Sequence, residues 1–312
     1  MPNKKFKSEE KKVINEIEEF SFNKEGNRLL KYSIESLLEE IDPERKGYVS
    51  TTRFFKLIFL VHKKLQEKNI NIGLPYFWYL YGPVCIEKKL PEGDYVKRKG
   101  SYLPTKHKKE PSKKVEKKIQ RTIEKISHDY KGTKTDEIVD NVYQKYAPYE
   151  FQLNFRKFRG ILNVKEMDVA MEFAGKENRN KILIEKLDQM LHSFPEEDFR
   201  EIYNQFLQWE NVMRYLADKG FNTEEKKFMK DFSDKFWELF CKLLRIKKYS
   251  KIDKYIIKKW KNSFKQKDFE EYKFDIQKFK NKFYTEMYKP RNEFKSERKT
   301  YKKTVYEEFI NP

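Results

Sequence analysis

The order of apolar and polar residues predicts a mainly helical chain. After Ser8, the positions Val13, Ile14, Ile17 and Phe20 fall at helical spacing, and Leu29, Leu30, Ile34, Leu37, Leu38 and Ile41 repeat the pattern. Ser50 stands as an N-cap before a third amphipathic helix, with Phe54, Leu57, Ile58, Val61 and Leu65 on one face. Phe55, Phe59 and Leu60 widen that face, which predicts a helix at the centre of a core. The period then changes. Residues 76–84 read YFWYLYGPV, and aromatic side chains on consecutive positions cannot all face one core. This stretch predicts a strand or turn ending at Gly82-Pro83. Its rings, Trp78, Tyr79 and Tyr81 among them, form either a buried structural corner or a platform for a base or a partner. Tyr95, Val96, Tyr102 and Leu103 alternate about Gly100 and predict a short hairpin, with Lys97, Arg98 and Lys99 at its tip. Helices followed by a small basic hairpin is the order of a winged helix, with that tip as the wing.

The charged, proline-bearing run HKKEPSKK predicts a connector at 107–114. It separates a winged-helix-like module, residues 1–106, from a C-terminal helical bundle, residues 115–312. In the second part Thr135 is placed as a helix cap, Pro148 as a helix opening, and Asn178 before a further helix. A long helix runs from the acids Glu196, Glu197 and Asp198 to a stop at Lys219-Gly220. Asn222 with Glu225 forms a capping box for the next one. Phe269, Tyr272, Ile276, Phe279 and Phe283 keep helical spacing near the end. No fixed-period repeat appears, so the pattern predicts a bundle and not a solenoid.

Composition changes the picture in two respects. Only 38% of the 312 residues are apolar, yet 26 Phe, 20 Tyr and 4 Trp supply large buried areas and predict a folded chain. No run approaches the roughly 18 apolar residues of a membrane span, and the first residues lead into no signal-peptide core. A soluble, cytoplasmic protein is therefore expected, without a membrane partner. Cys85 and Cys241 stand far apart as expected buried thiols, and the four histidines have no metal-ligand spacing. No nucleophile elbow, Walker loop or dinucleotide fingerprint occurs, so no metal or cofactor is expected.

The net charge of +19 is unevenly placed: residues 1–50 carry −1, 51–150 carry +10, 151–250 carry +2 and 251–312 carry +8. A codon bias towards lysine also favours glutamate, so it does not explain the sign, whereas a polyanionic partner does. The densest window, Lys242 to Lys267, holds eleven Lys or Arg against one acid, Asp253. Within and beside it Lys247, Lys251, Lys254, Lys258, Lys261 and Lys265 form a candidate phosphate-binding ridge. Ile252, Ile256, Trp260 and Phe264 take the opposite, docking face. With 56 Lys to 13 Arg, contacts of a point-charge kind are expected, favouring phosphates over base recognition.

Two resemblances add to this. Lys56-Leu57-Ile58-Phe59-Leu60, followed by the aromatic run and Tyr81-Gly82-Pro83-Val84, resembles the Panacea family over residues 45–105. Phe59 stands where that family has Tyr, and Trp78 lies one place before the family's Trp position, which Tyr79 occupies. The resemblance implies a small, winged-helix-like fold used as a protein-binding or antitoxin-like module. Arg121 and His128, seven apart on one helix face, resemble the catalytic pair of HEPN ribonucleases, with Thr122 departing from the polar residue that follows the Arg there. The leading expectation is a non-enzymatic nucleic-acid-binding protein with a regulatory or defence role. The alternatives are an antitoxin-type module with an acidic protein partner and a ribonuclease using Arg121 and His128.

Overall fold

The computed structural model describes residues 28–44, 49–85, 96–98, 101–103, 111–163 and 175–288. The helix expected after Ser8 lies outside them. The chain forms two compact units, residues 1–272 and 273–312. It is mainly helical. In chain order the first unit holds α1 (Arg28–Ile41), β1 (Val49–Ser50), α2 (Thr51–Gln66), β2 (Tyr76–Tyr79), β3 (Gly82–Cys85), β4 (Val96–Arg98) and β5 (Ser101–Leu103). Then come α3 (Lys113–Asp129), α4 (Thr135–Tyr146), α5 (Glu150–Asn163), α6 (Gly175–Ser193), α7 (Glu196–Phe199), α8 (Tyr203–Lys219), α9 (Thr223–Lys247), β6 (Tyr249–Ser250) and α10 (Lys254–Ser263). No helix among the described residues is long and apolar enough to cross a membrane.

Helix α2 begins as its sequence predicts, with Ser50 Oγ accepting from the Arg53 amide at 3.3 Å. Apolar side chains bury it nearly all round, and α1, α3 and α4 pack against it. Because α3 also packs on α1, the helices either side of the expected connector share one core. Residues 107–110 of that connector lie outside the described ones.

The run YFWYLYGPV is an antiparallel hairpin at the heart of this core. Tyr76 pairs with Cys85 and Tyr79 with Gly82, leaving Leu80 and Tyr81 as the turn. Phe77, Trp78, Tyr79, Leu80, Val84 and Cys85 are all buried. The Leu80 carbonyl accepts from Trp237 Nε1 of α9 at 3.0 Å and from Tyr143 Oη of α4 at 3.3 Å. One turn carbonyl thus ties together helices that are 94 residues apart in sequence, from Tyr143 to Trp237. Lys56 is buried too, donating to the Pro83 carbonyl at 2.7 Å. Burial pushes the Cys85 thiol up to about 12, against the opposing charge of Lys56, so it packs as an apolar side chain.

Gly82 closes the turn with φ +90°, a conformation L side chains rarely adopt, and a Cβ there would lie 3.2 Å from Tyr143 Cε2. Gly82→Ala is expected to destabilise the protein by about 1–3 kcal/mol, and Gly82→Val by more. An unchanged thermal melting curve for both would show that the hairpin does not bear on the core.

His62, fully buried on α2, finds no hydrogen-bond partner for either ring nitrogen among the described residues. Burial, helped by the charge of Lys63, lowers its pKa to about 4. The folded ring is neutral at neutral pH, while the unfolded chain takes up a proton below about pH 6.5. Stability is therefore held above pH 6.5 and lost as pH falls towards 4, by about 2 kcal/mol at pH 5. Urea midpoints at pH 7 and pH 5 should differ by less in His62→Phe than in the parent. An equal difference would contradict the buried neutral ring.

Elsewhere local signals and structure agree with three exceptions, the first being Asn178, expected to precede a helix but lying inside α6, which begins at Gly175. The capping box is complete, Glu225 N donating to Asn222 Oδ1 at 2.9 Å and Asn222 N to Glu225 Oε2 at 3.0 Å. Thr135 is the first helical residue of α4 and not its cap, which is Lys134; Asp136 and Glu137 meet the helix N-terminus instead. The single helix expected from Glu196 to Lys219 is interrupted by a 3₁₀ turn at Arg200–Ile202. Its three-residue repeat aligns Phe199 and Ile202, both buried. Around them rings of α5, α7, α8, α9 and the α6–α7 link interlock: Phe155 stacks on Trp237 at 4.7 Å, Phe194 on Phe206 at 4.3 Å and Phe199 on Phe240 at 4.4 Å.

Helix α11 (Phe269–Lys282) leads into the second unit, whose described residues run to 288 and include a π-turn, Phe283–Met287. There Lys278 Nζ lies 4.2 Å from the centre of the Phe274 ring.

Candidate nucleic-acid interface

The basic C-terminal segment is built on the hairpin. Helix α9 ends at Lys247, and the chain runs along β2, where Trp78 N donates to the Lys248 carbonyl at 3.0 Å and Tyr249 pairs with Phe77. The result is a second small sheet, β3-β2-β6, separate from β1-β5-β4. Lys251 turns the chain at φ +57°. Asp253 then caps α10, its carboxylate accepting from Tyr255 N at 2.7 Å.

The inner face of α10 is apolar. Ile256, Ile257 and Trp260 are buried, with Ile252 before them and Phe264 after. The Trp260 ring lies 5.0 Å from Phe77, and the Arg245 guanidinium sits over it at 4.9 Å while lying 5.4 Å from the Tyr79 ring. Burial strengthens such a contact, because the cation has no water to return to. Asp268 anchors the far end, 3.3 Å from Lys242 Nζ and 4.0 Å from Arg245, and Lys242 also meets Glu238 at 3.0 Å. Two largely buried cations thus face two carboxylates, the condition under which buried charge is tolerated. Asp268 ends the π-turn Phe264–Asp268, whose first and last residues are both buried.

On the outer face Lys254, Lys258, Lys261 and Lys265 are exposed. Among the described residues none of the four has a carboxylate within 4 Å. Their like charges line one side of α10 and continue onto the π-turn after it, a repulsive arrangement that a polyanion would relieve.

The expected ridge is therefore present in its centre and altered at its ends. Lys251 precedes the helix, and Lys265 lies on the π-turn, so the row is not one continuous α-helical face. Lys247 belongs to α9, where its Nζ lies 3.7 Å from Glu201 and 5.6 Å from the Phe199 ring. Several charges in the window are already matched by acids outside it: Lys248 by Asp198 at 4.0 Å and Lys267 by Glu271 at 3.8 Å, besides Lys242 and Arg245.

The candidate wing is the β4–β5 hairpin, with Arg98 opposite Ser101 and β5 pairing on to Val49 and Ser50. Lys97 and Arg98 lie on β4, and Lys99 falls outside the described residues. The aromatic corner is interior: Trp78 is 3% exposed and Tyr79, Gly82 and Pro83 are buried, with Tyr81 half-buried. Arg121 and His128 both lie on the solvent face of α3, and the His128 side chain is 89% exposed, 3.8 Å from Asp129. Thr122, between them in sequence, points the other way, accepting from Lys68 Nζ at 2.5 Å.

Two aromatic residues escaped the sequence reading. Tyr249 is 43% exposed and Tyr255 60% exposed, in the same segment as the lysines. Tyr255 could have been found, since it stands three and four places before Lys258 and Lys259 and outside the Ile256-Trp260 stripe. No protein family matches this chain, and no curated protein or solved structure is significantly similar to it.

Proposed function

We propose that the protein is a non-enzymatic nucleic-acid-binding protein of the cytoplasm that contacts phosphates through the outer face of α10. The observation that carries this reading is the row Lys254, Lys258, Lys261 and Lys265, exposed and without a carboxylate among the described residues. Lysine ammonium groups suit phosphate as point charges and read little sequence. The N-terminal part serves as a winged-helix-like module with a regulatory or defence role. The order α1, β1, α2 and a hairpin that returns to pair with β1 supports that assignment, as does the resemblance of residues 45–105 to the Panacea family.

Four phosphate contacts imply a salt slope of about −3 to −4 for log affinity against log salt. Affinity should then fall about 100-fold between about 50 and 200 mM salt. Fluorescence anisotropy on unrelated sequences of duplex DNA, single-stranded DNA and RNA across a salt series tests this. No binding to any of them at the lowest salt would overturn the reading.

A further inference from the structure

Resting on that reading, we infer that the ligand is a single-stranded nucleic acid, whose bases stack on Tyr255 and Tyr249 while its phosphates follow the α10 lysines. Most aromatic rings among the described residues of the first unit are interior, but these two are 60% and 43% exposed and belong to the lysine-bearing segment. Exposed rings at a strongly basic, otherwise hydrophilic surface are the combination that single strands require: cations for the backbone and flat faces for bases. In a duplex the bases are already stacked on each other, and a tyrosine on a helix surface cannot reach their faces.

The geometry of α10 suits an extended strand. Lys254, Lys258 and Lys261 are four and three residues apart, about 5–6 Å along the helix axis, so successive ammonium groups can meet successive phosphates. Tyr255 follows Lys254 directly and precedes Lys258 and Lys259 by one turn, which sets its ring beside the row and not within the apolar stripe. Tyr249 stands on β6, whose pairing with Phe77 holds it on the hairpin. Both platforms stand on regular elements, so the rings are presented without ordering a loop first. Charge alone would fit an anionic lipid surface as well. The inner face of α10 is occupied by the core, however, which leaves the helix no apolar face to insert into a bilayer.

The test uses the full chain, a labelled oligothymidylate of about fifteen nucleotides, the matching oligouridylate and the corresponding duplex. Wild type is expected to bind both single strands more tightly than the duplex. Tyr255→Ala should weaken single-strand binding about 10-fold, leave duplex binding unchanged and keep the wild-type salt slope, because stacking releases no counterions. Tyr255→Phe should restore the affinity. Anionic phosphatidylserine vesicles should not bind. If lysine substitutions weaken binding while Tyr255→Ala and Tyr249→Ala do not, phosphate contact stands and stacking is wrong. Equal affinity for duplex and single strand, or capture by the vesicles in place of oligonucleotide, overturns the inference too. Binding to no oligonucleotide removes both it and the reading on which it rests.

Discussion

Trp237→Ala is expected to lower stability by about 3–5 kcal/mol. The indole fills the junction of three elements: it stacks on Phe155 at 4.7 Å and Phe240 at 5.5 Å, and its Nε1 donates to the Leu80 carbonyl. Removing it opens a cavity between α5 and α9 and leaves the turn carbonyl with Tyr143 Oη, at 3.3 Å. A fall in melting temperature on the order of 10 °C should follow. Trp237→Phe keeps the ring contacts and loses the hydrogen bond, so it should cost only about 1 kcal/mol. If Trp237→Ala melts with the wild type, α9 does not depend on the hairpin, and the support beneath α10 has been misassigned.

Residues close in sequence were legible. Ser50, Asn222 and Glu225 announce their helices because a cap is made by atoms three residues apart. The β4–β5 hairpin could be read from alternation about Gly100. The two faces of α10 and of the π-turn that follows it were legible from spacing: Ile256, Trp260 and Phe264 are inside, and Lys254, Lys258, Lys261 and Lys265 outside. What sequence could not supply was the identity of long-range partners. The run YFWYLYGPV looked like a corner of a small N-terminal module, whereas it forms the hairpin against which α4, α9 and β6 assemble. No local pattern reveals that Tyr249 will pair with Phe77. A linear charge count fails for the same reason. It credits the basic window with Lys242, Arg245, Lys247 and Lys248, whose carboxylates arrive from Glu238, Asp268, Glu201 and Asp198. The surface that survives this pairing is smaller than the window suggested, and better defined.

That surface carries the second large effect. The triple substitution Lys254→Glu, Lys258→Glu and Lys261→Glu replaces three exposed cations by anions and leaves Ile256, Ile257 and Trp260 to hold α10. Folding should change little, since exposed charges contribute little stability and the three substituted side chains repel one another as anions much as they did as cations. Binding should change greatly. Each lost phosphate contact removes about 0.7–0.9 from the salt slope, so about 2–3 units should go, leaving a shallow remnant slope of about −1 from Lys265.

The most direct measurement of the central claim is therefore the salt dependence of oligonucleotide affinity for this triple variant beside the wild type, with circular dichroism confirming that both are folded. The account predicts wild-type binding that falls about 100-fold between about 50 and 200 mM salt, and a folded variant with weak binding and a slope of about −1 or shallower. A folded variant that keeps the wild-type affinity and slope would contradict it, and would leave the outer face of α10 an ordinary solvated surface.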